Sequence, residues 1–175
     1  PDSSGGMGNS ATFYKELKNE LMPIFEEKYH IIKDREHRAF GGFSMGAMVT
    51  WTVFEHCLDD FSFFIPVSGD SWALGGNQNG IMSEATAKHL ERMVVSQNKT
   101  KDDFKIYAGC GEHEIATPNM VPQIEAMKNE AAQTFIYTEN FNNGNLYFIL
   151  CKGSGHDQIT VLRTLYNALP KFCSE

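Results

Sequence analysis

The spacing of apolar residues divides the chain into alternating helical and extended segments. Where apolar residues recur three or four positions apart, the spacing predicts helices that bury one face. Short uninterrupted apolar runs bounded by glycine, asparagine or charged residues predict buried strands. The predicted helices cover 13–25, 46–56, 81–97, 120–131 and 159–169. The predicted strands cover 38–43, 61–67, 104–109 and 146–151, with a short extended piece at 135–138.

Strands and helices therefore alternate along most of the chain. The strands are continuously apolar instead of alternating with polar residues, which is typical of a parallel sheet covered by helices on both faces. We expect an α/β fold, with functional groups gathered beyond the carboxyl ends of the strands. Residues 1–9 are predicted to be loop, and Pro23 is expected to kink the first helix because it cannot donate to the carbonyl of Asn19.

Length, charge and cysteine count exclude several classes of protein. The 175 residues are enough for one domain with a real core, and we expect a single catalytic domain over 1–175. The net charge of −7, without a basic run, argues against nucleic-acid and anionic-membrane partners. The four cysteines, Cys57, Cys110, Cys151 and Cys173, show no CxxC spacing, so no metal site or cofactor is expected. Their even number permits disulfides without establishing them.

The most informative motif is Gly42-Phe43-Ser44-Met45-Gly46, a G-x-S-x-G between a predicted strand and a predicted helix. A serine on such a sharp turn is held at unfavourable backbone angles with its hydroxyl exposed, and small residues two positions away on either side allow the turn. The following helix has no charged residue before Glu55, so we expect it to be buried. Ser44 is accordingly predicted to be a nucleophile.

A serine nucleophile needs a base, and the base needs a carboxylate to fix its tautomer. His156 is the histidine that follows the last strand in a glycine-flanked loop, so we predict it as the base. For the acid, Glu114 follows the strand at 104–109 and is the first choice. Asp70, after the strand at 61–67, and Glu112 remain alternatives, and all three stand between the serine and the histidine, in the α/β-hydrolase order.

Two further residues complete the candidate site. Met45, directly after the nucleophile, is predicted to offer its backbone N–H to the oxyanion, while the second donor in this fold comes from a loop after an early strand. Trp72 lies in a long loop beyond a strand end and could stack on a phenolic ring or a sugar, or anchor its own loop. The chain shows no early strand upstream of residue 38. We therefore expect a companion segment to pair with the Ser44 strand, whose open edge would otherwise promote aggregation.

Three stretches resemble feruloyl esterases of carbohydrate esterase family one. DREHRAFGGFSMG at 34–46 resembles the nucleophile region of that family, GCGEHEIA at 109–116 the segment that carries its acid, and GSGHD at 153–157 its histidine loop. The resemblance spans nearly the whole chain and begins after the family's early strands, as expected for the C-terminal part of the domain. One position departs from the family: its acid is usually Asp, whereas this chain has Glu114, whose extra methylene lengthens the reach.

The resemblance implies an α/β-hydrolase, incomplete in this chain, that is secreted and cleaves hydroxycinnamate (feruloyl) esters of plant cell-wall arabinoxylan. The residues by themselves indicate only serine-dependent acyl transfer to water. Two other interpretations stay open from the residues: an esterase or acyltransferase of the same fold acting on another acyl group, and a non-catalytic carbohydrate-binding domain.

Overall fold

A computed structural model describes residues 11–140 and 143–173 of the protein. It contains one four-stranded parallel sheet in which spatial order equals chain order, and this confirms the predicted α/β class. The strands are β1 Ala39–Phe43, β2 Phe63–Val67, β3 Lys105–Gly111 and β4 Leu146–Cys151. The third strand runs two residues further than the apolar pattern predicts. The predicted loop at 1–9 and Asn142 of the predicted turn lie outside the described residues.

The pairing register brings the carboxyl ends of the strands level with one another. Phe43 pairs with Val67, Val67 with Gly109, and Gly111 with Cys151. The loops that follow β1, β2, β3 and β4 therefore leave the sheet along one edge. All three candidate catalytic positions lie in or directly after these loops.

The helices agree with the predicted pattern, with boundaries shifted by a few residues. They are α1 Phe13–Glu16, α2 Met22–Lys28, α3 Met45–His56, α4 Ser83–Ser96, α5 Thr117–Glu130 and α6 Gln158–Cys173. None of the helices within 11–140 and 143–173 is long and apolar enough to cross a bilayer.

A π-helical segment, Leu17–Leu21, lies between α1 and α2, next to the position where a kink is predicted at Pro23. The Met22 N–H donates to the carbonyl of Leu17, five residues back, which widens the helix by one residue. Pro23 is the second residue of α2, directly after this segment, and Leu21 before α2 keeps right-handed helical angles. The helical backbone therefore continues past the proline.

The two faces of the sheet are covered unequally. The larger core lies between the sheet and helices α3, α4 and α5, and Phe54 is at its centre, with edge-on contacts to Phe64 and Phe104 at centroid distances of 5.1 and 5.0 Å. The opposite face packs residues of β2 and β3 against α6, where Ala168 is fully buried. Helix α3 is buried as its sequence predicts, and its burial includes Glu55.

Strand β1 lies at an edge of the sheet. Within the part of the chain that the structure describes, β1 pairs with β2 and has no strand on its other side. Beside this edge lies a mostly apolar groove of about 630 Å³. Its lining includes Phe13, Leu21, Phe25, Ile32 and Phe40.

The cysteines are all free thiols. Cys110 and Cys151 end neighbouring strands and are buried without a disulfide between them, and Cys57 is buried as well. Cys173 is exposed, whereas the other three thiols are buried.

Candidate active site

Ser44 occupies a strained turn between β1 and α3. Its φ and ψ angles are 58° and −116°, a region that non-glycine residues rarely adopt and that costs about 1–3 kcal/mol. The Ser44 N–H donates to the carbonyl of Val67 at 2.9 Å, so the turn is fixed to the end of the neighbouring strand. This geometry is the one that the G-x-S-x-G motif predicts.

The glycines around the turn contribute unequally. A Cβ on Gly42 would collide with the backbone of Gly46, whereas a Cβ on Gly46 would meet no atom within 4 Å. The expectation that both motif glycines relieve crowding is therefore correct only for Gly42. Gly69, which sequence reasoning missed, is also required: a Cβ there would lie 2.7 Å from the Ser44 carbonyl oxygen.

Ser44, His156 and Glu114 form one continuous chain of hydrogen bonds. The Nε2 atom of His156 lies 2.9 Å from Ser44 Oγ, and its Nδ1 atom lies 2.5 Å from Oε2 of Glu114. The Glu114 side chain is fully buried, and that of His156 is 26% exposed. The ring of Phe43 packs against the imidazole with the two centroids 4.5 Å apart, a contact that no sequence pattern indicated.

The second oxygen of Glu114 is also surrounded by donors. Oε1 accepts hydrogen bonds from the Ser68 hydroxyl at 2.8 Å, from the Gly111 N–H, and from the Cys110 thiol at 3.0 Å. Ser68 was not among the predicted site residues, although its position directly after β2 puts it at the correct edge of the sheet. These donors suit a buried carboxylate anion.

The two alternative acids have other partners. Asp70 is buried, and its Oδ2 accepts the N–H of Asn77 at 2.8 Å, which closes the loop after β2. Glu112 accepts the N–H of Gly153 at 2.9 Å. The geometry therefore brings Glu114, and neither alternative, to the imidazole.

Met45 and Trp72 are the two remaining residues of the predicted site. Met45 is the first residue of α3, so its N–H falls in the first turn, where helical N–H groups lack an intrahelical acceptor. Trp72 is 41% exposed and lines a cavity of about 380 Å³ along α3 together with Met48 and Thr52. The residues that line this cavity do not include the Ser44–His156–Glu114 chain.

A second buried carboxylate, Glu55, lines the same cavity. The Glu55 side chain is 7% exposed, accepts the Ser71 hydroxyl at 3.1 Å, and lies 3.6 Å from Nε2 of His89. Burial raises the pKa of Glu55 to about 7 and lowers the pKa of His89. Across 11–140 and 143–173, no group of three or more His, Cys, Asp or Glu side chains could hold a metal ion.

Comparison with known proteins identifies relatives of this arrangement. The chain is 38% identical, over its whole length, to endo-1,4-beta-xylanase Y of Acetivibrio thermocellus, of which it spans 16%. A solved serine-to-alanine mutant of the feruloyl esterase module from Clostridium thermocellum, complexed with sinapinate, is 36% identical with a TM-score of 0.82. That match covers 92% of this chain and 58% of the module.

A more distant structure shares the fold. An S-formylglutathione hydrolase from Staphylococcus aureus is 16% identical with a TM-score of 0.67, over 93% of this chain and 61% of the other. No protein-family model matches the sequence. The chain thus spans less than two thirds of the length of each of these relatives. The chain is therefore similar to the feruloyl esterase module over most of its own length, and it shares its fold with the more distant hydrolase.

Proposed function

We propose that this chain carries the catalytic triad of a serine esterase that hydrolyses hydroxycinnamate (feruloyl) esters of plant cell-wall arabinoxylan. The observation that supports the reaction is the unbroken hydrogen-bond chain Ser44–His156–Glu114. The substrate class rests on the related feruloyl esterase module and on the related xylanase. A protein that acts on plant cell walls works outside the cell, so secretion is part of the proposal.

The reaction proceeds in two steps of acyl transfer. Ser44 Oγ attacks the ester carbonyl while His156 Nε2 takes the hydroxyl proton, and the imidazolium returns that proton to the departing sugar alcohol. Hydroxycinnamate then remains as an ester on Ser44. Water attacks this acyl-enzyme with His156 again as the base, which releases the free acid and restores the Ser44 hydroxyl.

Glu114 is the acid of the triad in this proposal. By accepting the Nδ1 proton of His156 it leaves Nε2 free to take a proton from Ser44, and its charge stabilises the imidazolium. The extra methylene relative to Asp is accommodated, because the carboxylate contacts the imidazole with one oxygen and three backbone or side-chain donors with the other.

The oxyanion hole is completed by a companion segment in this proposal. Met45 supplies one backbone N–H, and acyl transfer needs two. The companion is an N-terminal segment of the same enzyme that pairs with the open edge of β1 and covers the apolar groove beside it. The greater length of the relatives supports this arrangement.

Trp72 contributes to substrate binding by stacking on the phenolic ring of the acyl group. The indole is 41% exposed in a loop beyond the end of β2, and this exposure is the observation that supports such a contact.

The decisive experiment measures release of ferulate from methyl ferulate and from feruloylated arabinose by the full-length protein that contains these residues. Hydrolysis of both, with no release of acetate from acetyl esters, is the expected result. Acetyl or thioester cleavage without ferulate release would favour an esterase or acyltransferase for another acyl group. Failure of a fluorophosphonate to label Ser44 would favour a non-catalytic carbohydrate-binding domain.

The companion segment is tested separately by hydrogen exchange of β1. The N–H of Ser44 points toward β2, so with the two-residue period of a strand the N–H groups of Gly41 and Phe43 point toward the open edge. In the full-length protein both should exchange slowly because a neighbouring strand accepts them. Rapid exchange at Gly41 and Phe43, beside slow exchange at Phe40 and Gly42, would contradict a companion strand.

A further inference from the structure

Ser68 has a backbone conformation that glycine would adopt at lower cost. It follows β2 directly with a φ of 59° and is 2% exposed. A non-glycine residue in this region is destabilised, and such strain in a folded protein is often stored at functional positions. Serine in place of glycine is explained only if its hydroxyl makes a contact that offsets this strain.

The hydroxyl contacts the acid of the proposed triad. Ser68 Oγ donates to Oε1 of Glu114 at 2.8 Å, while Oε2 of the same carboxylate faces His156 Nδ1 at 2.5 Å. The Ser68 N–H donates to the carbonyl of Gly109 at 2.8 Å, which holds the serine against the strand that leads to Glu114. The donor is therefore rigidly placed relative to the carboxylate.

We propose that Ser68 is a positioning residue, which holds Glu114 in the rotamer that delivers Oε2 to His156. The inference rests on the proposed esterase function and deepens it. A glutamate has one more rotatable bond than an aspartate, so its carboxylate needs an additional fixed contact to keep one orientation. The Gly111 N–H, at the end of β3, and the Ser68 hydroxyl, directly after β2, provide two such contacts on the same oxygen.

Two substitutions separate the hydroxyl from the backbone strain. Ser68→Gly removes both, and Ser68→Ala removes the hydroxyl but keeps the strain. Both variants lose a hydrogen bond to a charged group. We expect this loss to lower kcat by about tenfold to hundredfold in each variant, with KM nearly unchanged. Ser68→Gly should nevertheless be more stable than Ser68→Ala, because both lose the hydroxyl and only glycine relieves the positive φ. The two variants thus differ in stability while their loss of activity is the same.

The effect of Ser68→Gly on kcat should depend on Glu114. A serine with only a structural role would show no such dependence. In a Glu114→Gln background, adding Ser68→Gly should cause no further loss of kcat, since the positioned carboxylate is already gone. In the Glu114 background, Ser68→Gly should lower the apparent pKa on the acidic limb of kcat/KM against pH, because the imidazolium loses its oriented anion. Ser96→Ala, at an exposed hydroxyl that bonds the carbonyl of Met93, is the matched control and should match the wild type.

A direct spectroscopic measurement keeps the inference independent of the substrate. The proton between His156 Nδ1 and Glu114 should give a downfield proton resonance in the wild type that weakens or disappears in Ser68→Gly. An unchanged resonance, or additive losses of kcat in the double variant, would overturn the role of Ser68. A wild type with this resonance that hydrolyses no hydroxycinnamate ester would instead contradict the proposed substrate and leave the positioning role supported.

Discussion

Glu114 and Glu55 are two buried carboxylates in very different surroundings. Glu114 lies in the loop after β3 and Glu55 in the last turn of α3, with side chains 0% and 7% exposed. Glu114 meets donors at both oxygens, from Ser68, Cys110, Gly111 and His156. Glu55 accepts one hydroxyl, from Ser71, and its second oxygen lies 3.6 Å from the buried Nε2 atom of His89.

The two buried carboxylates differ in the number of hydrogen-bond donors that replace their lost hydration. Desolvation raises the pKa of Glu55 to about 7 because the single hydroxyl that it accepts compensates little of the lost hydration. Around Glu114, several donors replace the lost water and suit an anion next to an imidazole. Glu55 is therefore protonated over much of the acidic range, whereas the Glu114 carboxylate is hydrogen-bonded at both oxygens.

The largest expected effect tests whether Ser44, at the end of the hydrogen-bond chain from Glu114, is a nucleophile. Ser44→Ala should lower ester hydrolysis on the order of a million-fold, as in serine hydrolase triads. The measurement is kcat on methyl ferulate with the full-length protein. Residual turnover within about tenfold of wild type, which would be far above any triad knockout, would remove Ser44 from its role.

The same Glu→Gln substitution should affect catalysis very differently at Glu114 and at Glu55. Glu114→Gln keeps the shape but loses the charge that stabilises the imidazolium, and we expect a loss of kcat of about ten-thousandfold. Glu55→Gln, the matched change, should leave kcat/KM nearly unaltered, and Asp70→Asn should cost far less than Glu114→Gln. If Asp70→Asn proved more damaging than Glu114→Gln, the acid would belong to the loop after β2.

Glu55 should make the protein less stable as pH rises through the weakly acidic range. Its pKa is raised in the folded state from an ordinary 4.5 to about 7, so the folded protein binds more protons between these values. The contribution is fully present below pH 4.5 and is lost by pH 7, at up to about 3 kcal/mol.

Urea unfolding of wild type and Glu55→Gln at pH 5 and pH 8 measures this loss. The difference in free energy of unfolding between the two proteins should change by up to about 3 kcal/mol from pH 5 to pH 8. His56, whose lowered pKa weakens stability at acidic pH instead, is common to both proteins and cancels. His89 lies 3.6 Å from the substituted carboxylate, so its titration is coupled to that of Glu55 and is part of the measured difference. A difference that is independent of pH would show that Glu55 is ionised throughout.

The smallest expected effect lies at Trp72, which lines the same cavity as Glu55. It follows Ser71, the hydroxyl partner of Glu55, and it lines the cavity along α3. Trp72→Ala should raise KM for methyl ferulate by about fivefold, the value of one aromatic contact, with kcat little changed. Trp72→Phe should recover most of the affinity. Equal KM values for wild type and Trp72→Ala would indicate that the indole only anchors its loop.

The sequence by itself determined the fold class and two members of the hydrogen-bond chain. Continuous apolar runs alternating with helical spacing are local patterns, and they predicted the parallel sheet that the structure shows. Ser44 could be predicted because its strain arises from its immediate neighbours in G-x-S-x-G. His156 could be predicted because it follows the last strand in a loop that must reach the same edge.

Only the tertiary structure decided which carboxylate meets the imidazole. Glu114, Glu112 and Asp70 all follow strands at the same edge, and the spacing along the chain cannot distinguish them. The choice depends on the packing of the loop after β3 against Ser68, which is 46 residues away from Glu114 in the chain. The burial of Glu55 is likewise set by α4 and the loop after β2. Such contacts between distant residues leave no periodic pattern in the sequence, because they depend on where the packed strands place each side chain in space.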